Sequence, residues 1–304
     1  MTTGTDLRNC GFYFPSFESE DIFLIREWNE TTINRLLKEK RGQGTGKDYK
    51  PWLQVQDIAS KGRSTRTLGH TTQRVHHLLS DLQLYYFYLL EFDENVTDIR
   101  EQYPLLDFHD MNIHLDEELT QKLFDKKTQV PHIFTVSFLV TRKAKNGEYY
   151  DEARTIKQSQ ELEKNATLQR LELQRRYFEK KGINFGVVTE IEIDKQLTRN
   201  IGWILNSYDI QDYPSLTLNL LHLKRDMIRY LSSKTDSFQS IFSRLEKEYI
   251  LDEGLGLILF KHLVAHKEVR MDLRKKVYLT NKIDDYHVQL TDENGGDKSY
   301  AVGN

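Results

Sequence analysis

The sequence predicts two folded parts: a mixed α/β domain over residues 41–189, and a smaller, mostly helical α+β domain over residues 190–284. Three features lead to this division. Residues 133–140 (IFTVSFLV) alternate between two faces, with Phe134, Val136, Phe138 and Val140 on one and Thr135, Ser137 and Leu139 on the other. The turn signal AKNG follows, then a second extended run, so a hairpin is expected there. After Glu190 the texture becomes helical, in three stretches that lead into a basic segment.

Taken in order, residues 1–40 form an N-terminal arm that mixes aromatic and acidic side chains, with helical spacing beginning at Ile33, Leu36 and Leu37. Arg41 to Trp52 (RGQGTGKDYKPW) is a glycine-rich basic loop. Its Gly46-Lys47 pair invites a phosphate-loop reading, but Asp48 stands where that motif needs Ser or Thr. Arg74 to Glu91 has the spacing of one helix, through Val75, Leu78, Leu79, Leu82, Tyr86 and Leu89. Residues 98–106 are extended, and 107–131 have the polarity of a loop. Ala153 to Lys157 is the returning strand of the hairpin. Glu161 to Lys181 is a charged helix stopped by Gly182, and Ile183 to Thr189 is a buried-type strand. In the second part, Leu216 to Leu231, Phe238 to Tyr249 and Gly256 to Ala265 are the helices. Glu268 to Thr280 then alternates around Arg274-Lys275-Lys276; three helices and a basic hairpin make a winged-helix pattern. Residues 285–304 are expected to be a loose tail.

Composition narrows the function classes. The chain has 304 residues, 38% hydrophobic and 29% charged, with a net charge of −3, so bulk charge gives no sign of a nucleic-acid partner. Contact with DNA would have to come from local basic patches. Cys10 is the only cysteine, which removes an internal disulfide framework and a thiolate zinc site, and suits a reducing cytoplasm. No apolar run approaches the ~20 residues a membrane helix needs, and the N-terminus lacks the pattern of a signal peptide.

The order helix, strand, hairpin, strand, helix, strand is that of a restriction-endonuclease-like metal nuclease. Such a site needs hard oxygen ligands for Mg²⁺, with carboxylates among them, an activated water, and a lysine near the phosphate. The segments RGQGTGKDY, PWL, RVHHLLSDLQL (74–84), TDIREQYPL (97–105) and LELQRRYFEKKGI (171–183) resemble the TnsA family, the endonuclease subunits of heteromeric cut-and-paste transposases. The resemblance covers most of residues 33–203 and is looser beyond. It implies a restriction-endonuclease-like N-terminal domain that cuts the 5′ ends of a transposon with Mg²⁺. It also implies a winged-helix domain that engages a TnsC-like ATPase, and a TnsB-like DDE transposase that makes the 3′ cuts.

Carrying the family site across residue by residue leaves it without carboxylates. The family's helix glutamate, in LSDLEL, falls on Gln83; its strand aspartate, before Phe-Leu, falls on Ser137; the polar residue two before its lysine falls on Thr155; and the lysine is kept as Lys157. Three neutral oxygens and a lysine repel a dication more than they bind it. The expectation is therefore a subunit that binds Mg²⁺ weakly and does not nick DNA. It would act on transposon-end DNA with its TnsB-like and TnsC-like partners, and could pair with a second, intact TnsA-like chain. Two alternatives stay open: an active endonuclease with relocated ligands drawn from Asp81, Asp107, Asp110, Asp151 or Glu152, and a DNA- or regulator-binding protein derived from the fold.

For DNA contact the candidates are Arg41, Lys47, Lys50, Arg63 and Arg66, in a basic run that also holds Lys61, together with Arg74, His76 and His77. His76 is expected on the same side of the helix as Gln83, two turns before it. His262 and His266 have zinc-protease spacing, but Leu263 replaces the required glutamate. Their helix is expected to expose Lys261 and Lys267.

Overall fold

The structure is a computed structural model that describes residues 28–57, 63–125 and 127–290. Most of the expected N-terminal arm (1–27), Lys61, and residues 291–304 of the expected tail lie outside the described residues.

A central sheet organises the first part. It is built from β3 (Val96–Pro104), β4 (Thr135–Lys143), β5 (Tyr149–Ile156) and β6 (Asn184–Val188), adjacent in that order. The first three strands run antiparallel, and β6 joins β5 in parallel, so the sheet is mixed as expected. The β4–β5 connection is the AKNG turn, closed by Gly147 N–H donating to Ala144 O, with Gly147 at φ 88°. Helix α2 (Asp81–Phe92) packs on one face of the sheet through Leu82, Tyr86, Phe87 and Leu90. Helix α4 (Asn165–Lys180) covers the other through Leu173, Tyr177 and Phe178, and Gly182 follows it at φ 68°. Helix α1 (Glu30–Lys38) packs by Leu36 against Trp28 and Trp52, and the short helix α3 (Glu117–Thr120) interrupts the long loop before β4.

Three expectations fail in the first part. The simplest concerns β6, expected as a buried-type strand, which lies at the sheet edge with no buried residue over Asn184–Val188, because among the described residues only β5 pairs with it. The other two reach further. Residues 74–78 are not helical: β1 (Thr65–Gly69) and β2 (Arg74–Leu78) form an antiparallel ribbon, turned at Gln73 with φ 54°. Arg74, His76 and Leu78 are buried while Val75 is half exposed, which is a two-residue period. The helix starts only after Ser80, whose hydroxyl accepts from Gln83 N–H as an N-cap. The short apolar spacing of 75–79 fits either period, and the cap decides the boundary. The third failure is within β4. Val136 and Leu139 pack in the core against α4, whereas Phe138 and Val140 pack in the core against α2. Strict alternation therefore breaks around Ser137.

The second part contains α5 (Lys195–Leu205), α6 (Pro214–Thr217), α7 (Leu220–Leu231), α8 (Phe238–Tyr249) and α9 (Leu255–Ala265) around a core from Ile201 to Tyr286. The last three match the expected helices, while α5 was not anticipated. The expected hairpin at 268–280 is replaced by β7 (Val269–Arg270) pairing with the distant β8 (Gln289–Leu290). The basic residues 274–276 lie in the long connection. Tyr286 fills its interior, and the Tyr286 hydroxyl donates to Lys276 O. Helix α9 is buried nearly all round, so Lys261 is 9% exposed with its ammonium over the Trp203 ring, not on an open face. His262 and His266 both turn their rings to Tyr208 O, at 2.9 and 3.0 Å.

The two parts meet along α2. Gly202 of α5 sits against Tyr88 of α2, where a Cβ would come 2.6 Å from the ring. His70 stacks on Tyr208 at 4.2 Å. Helix α2 thus carries Gln83 at its first turn and supports the second part farther along. Among the described residues no helix is long and apolar enough to cross a membrane.

Candidate active site

The four residues expected at the family's site positions, Gln83, Ser137, Thr155 and Lys157, sit at the end of the sheet where β4 and β5 separate. Gln83 is in the first turn of α2. Its side-chain oxygen accepts from Leu79 N–H at 2.9 Å and from the Gln102 amide at 3.0 Å, so it closes the helix start and ties it to β3. Gln102 has φ 49°, a left-handed conformation held because Trp52 N–H donates to its carbonyl at 3.2 Å. Gln102 and Ser137 both fall between the Glu101–Phe138 and Tyr103–Val136 register pairs. Ser137 Oγ accepts from Ile156 N–H at 3.0 Å, a backbone donor that the fork would otherwise leave unpaired. Thr155 faces α4, where its hydroxyl donates to Gln174 Oε1 at 2.7 Å and Gln174 in turn donates to Thr135 O. Lys157 Nζ pairs with Glu161 at 3.0 Å.

Gln83, Ser137 and Thr155 are 8%, 8% and 3% exposed, and each spends a polar atom on an internal bond. Their oxygens are neutral, and Lys157 and Glu161 cancel in charge. Mg²⁺ needs charge and several open oxygens together, and these residues do not supply it. Among the described residues, no group of three His, Cys, Asp or Glu side chains is arranged to hold a metal ion.

The acids considered as substitutes are committed elsewhere or stand apart. Glu152 is buried between Arg142 and Arg154, so its carboxylate is already paired. Asp151 accepts from Arg100 and Thr141, and Asp107 from Tyr177 and Lys181. Asp81 is exposed, 4.0 Å from Arg63, and Asp110 is exposed beyond the end of β3.

One carboxylate close to the site was not singled out in the sequence. Glu101 precedes Gln102 on β3 and is fully buried. Arg74 donates to both of its oxygens, His76 Nδ1 donates at 2.8 Å, and His77 N–H at 3.0 Å. Thr72 Oγ1 lies 2.7 Å from His76 Nε2, and the Arg74 guanidinium lies over the Tyr49 ring. Burial pushes the Glu101 pKa up, but His76 and Arg74 more than offset this and hold it at about 2. With its lone pairs given to four donors, Glu101 is a structural anion rather than a spare ligand. Glu101 lies in the middle of β3, between Arg100 and Gln102, and no local pattern in the sequence set it apart.

This network changes the expected DNA-contact set. Arg74 and His76 are buried in it, 8% and 0% exposed, so they cannot face a phosphate backbone. His76 lies on β2, not on a helix beside Gln83. Arg41 is also buried, held by Asp57, Glu39 and Trp52 O. His77 is half buried, accepts from Val55 N–H, and is kept below its ordinary pKa by burial. Lys47, Lys50, Arg63 and Arg66 remain on the surface. The glycine loop carries the first two. Its Gly42, Gly44 and Gly46 all have positive φ, and a Cβ on Gly42 would fall 2.2 Å from the Pro104 ring.

Comparison with known proteins places these features in a family. Residues 93–190 match the model of the TnsA-like endonuclease N terminal, and residues 192–273 that of the TnsA endonuclease C terminal. The chain is 35% identical over 259 residues to the transposon Tn7 transposition protein TnsA of Escherichia coli, a similarity covering 85% of this chain and 91% of that protein.

Proposed function

The chain belongs to the TnsA endonuclease family, and on that premise we propose that it serves cut-and-paste DNA transposition as a subunit that does not nick the 5′ strand. One observation carries the proposal: Gln83, Ser137 and Thr155, the residues expected at the family's metal-ligand positions, have neutral oxygens bonded within the protein. A carboxylate-free site gives Mg²⁺ too little charge to offset its dehydration. No cleavage step is therefore assigned to these residues.

The surroundings of the site favour retention for assembly. Gln83, Gln102 and Ser137 still join α2, β3, β4 and β5, and the exposed Lys47, Lys50, Arg63 and Arg66 suit contact with transposon-end DNA. In the second part, three helices followed by a two-stranded ribbon favour a winged-helix domain, the place for a TnsC-like ATPase. A TnsB-like transposase, and a second TnsA-like chain with an intact site, would complete the machine. Because Gln83, Ser137 and Thr155 bring no negative charge and Glu161 is paired with Lys157, DNA binding should not require a divalent ion.

The test incubates the purified chain and its DDE partner with transposon-end DNA in Mg²⁺ and in Mn²⁺. The expected outcome is 3′-strand cleavage without 5′ cuts attributable to this chain. Robust 5′-strand cleavage that disappears when this chain is omitted would overturn the proposal.

A further inference from the structure

Helix α9 follows two helices and precedes a ribbon, the position from which a winged helix reads a DNA groove. Here it is packed between α5, α7 and α8, and it buries Lys261 and His262. Groove reading by α9 is closed off, yet the adjacent outer surface is basic. Arg225 and Arg229 project from α7 with side chains 68% and 62% exposed. They share one buried acid, Asp226, which also accepts from the Tyr249 hydroxyl, so their charge exceeds what their partner neutralises. Ser240, Ser243, Arg244 and Lys247 recur every three or four residues along α8 and so line one side of it. With Glu248 they border an open depression of about 540 Å³. Arg229 and Arg244 lie over the Tyr230 ring at 5.0 and 4.1 Å, which fixes the two helices' cations next to each other. Glu248 at its border accepts from the Tyr230 hydroxyl, and Asp226 is shared between Arg225 and Arg229. Neither Arg244 nor Lys247 makes an ion pair among the described residues.

We propose that the outer face of α7 and α8 seats the sugar-phosphate backbone of duplex DNA, with Arg225, Arg229, Arg244 and Lys247 against phosphates and Ser240 and Ser243 as hydroxyl donors. The choice of DNA over an acidic protein rests on the transposition reading above. The cations provide contacts to phosphate without base readout, so binding is independent of sequence and strongly salt-dependent.

The experiment measures binding of the full chain to a random-sequence duplex from 50 to 200 mM salt. Arg244→Glu with Lys247→Glu removes two phosphate contacts. The log–log salt slope should become shallower by about 1.8, and affinity near 0.1 M should fall roughly tenfold or more. Lys143→Glu with Lys145→Glu at the exposed β4–β5 turn makes the same change in net charge and should leave the slope unaltered. Lys247→Glu alone, at an exposed position, should give half the slope change if the double variant fails to fold. An unchanged slope in the α8 variants overturns the proposal, as does an equal change in the turn variant. Polyglutamate competing as well as DNA at equal charge also overturns it, in favour of an acidic protein partner. None of these outcomes depends on whether the chain nicks DNA.

Discussion

Glu101 and Gln102 are neighbours on β3, yet the polar clusters around them are opposites. Glu101 keeps a full negative charge in the interior because Arg74, His76 and a backbone amide converge on it. Gln102 faces Gln83 in a cluster that carries no charge and closes its bonds with protein groups. A buried charge persists only where permanent partners compensate for desolvation. Under the proposed function, the metal-ligand positions would have to wait for an ion as their partner, and Gln83, Ser137 and Thr155 there need none. On that reading the scaffold keeps its charge, and the site exchanges its charge for internal hydrogen bonds.

The comparison can be strained most severely at Glu101. Glu101→Gln preserves the shape but strands Arg74 in the interior, and urea unfolding should register a loss of about 3–5 kcal/mol. A loss below 1 kcal/mol would mean that the network is no firmer than a surface pair. Acid should act through the same residue. Its folded pKa of about 2 lies below the ordinary 4.5, so its stabilisation is complete above pH 4.5 and disappears as pH falls towards 2. Thermal melting across that window should show a steeper decline for the native chain than for Glu101→Gln. The neutral cluster should yield smaller effects: Gln102→Ala removes one hydrogen bond to Gln83 and should cost about 1 kcal/mol, measured in the same urea titration.

Much of this was legible in the sequence, for identifiable reasons. The β4–β5 hairpin was readable because AKNG supplies a turn with a glycine at positive φ. Helices α7, α8 and α9 were readable because each carries a long apolar period. The proposal that Gln83, Ser137 and Thr155 stand at the family's ligand positions comes from laying the family site on the chain, which gave no sign of their hydrogen-bond partners. Gln102 and Gln174 lie 19 residues from Gln83 and Thr155 respectively, across turns and strands that leave no local trace of the contact. The β2 segment was misread because five residues are too few to separate two periods, and this error carried Arg74 and His76 onto the surface. The burial of Lys261 was hidden for a related reason: an exposed lysine and one snorkelling along Trp203 look alike in sequence.

The most direct test of the exchanged charge restores it. Gln83→Glu can still accept from Leu79 N–H, and Ser137→Asp can still accept from Ile156 N–H, so the double variant preserves the local acceptors while adding two carboxylates. Calorimetric titration with Mn²⁺ should find no stoichiometric site in the native chain and one per chain in the double variant. One Mn²⁺ bound per native chain, or a double variant that binds none, would contradict the account.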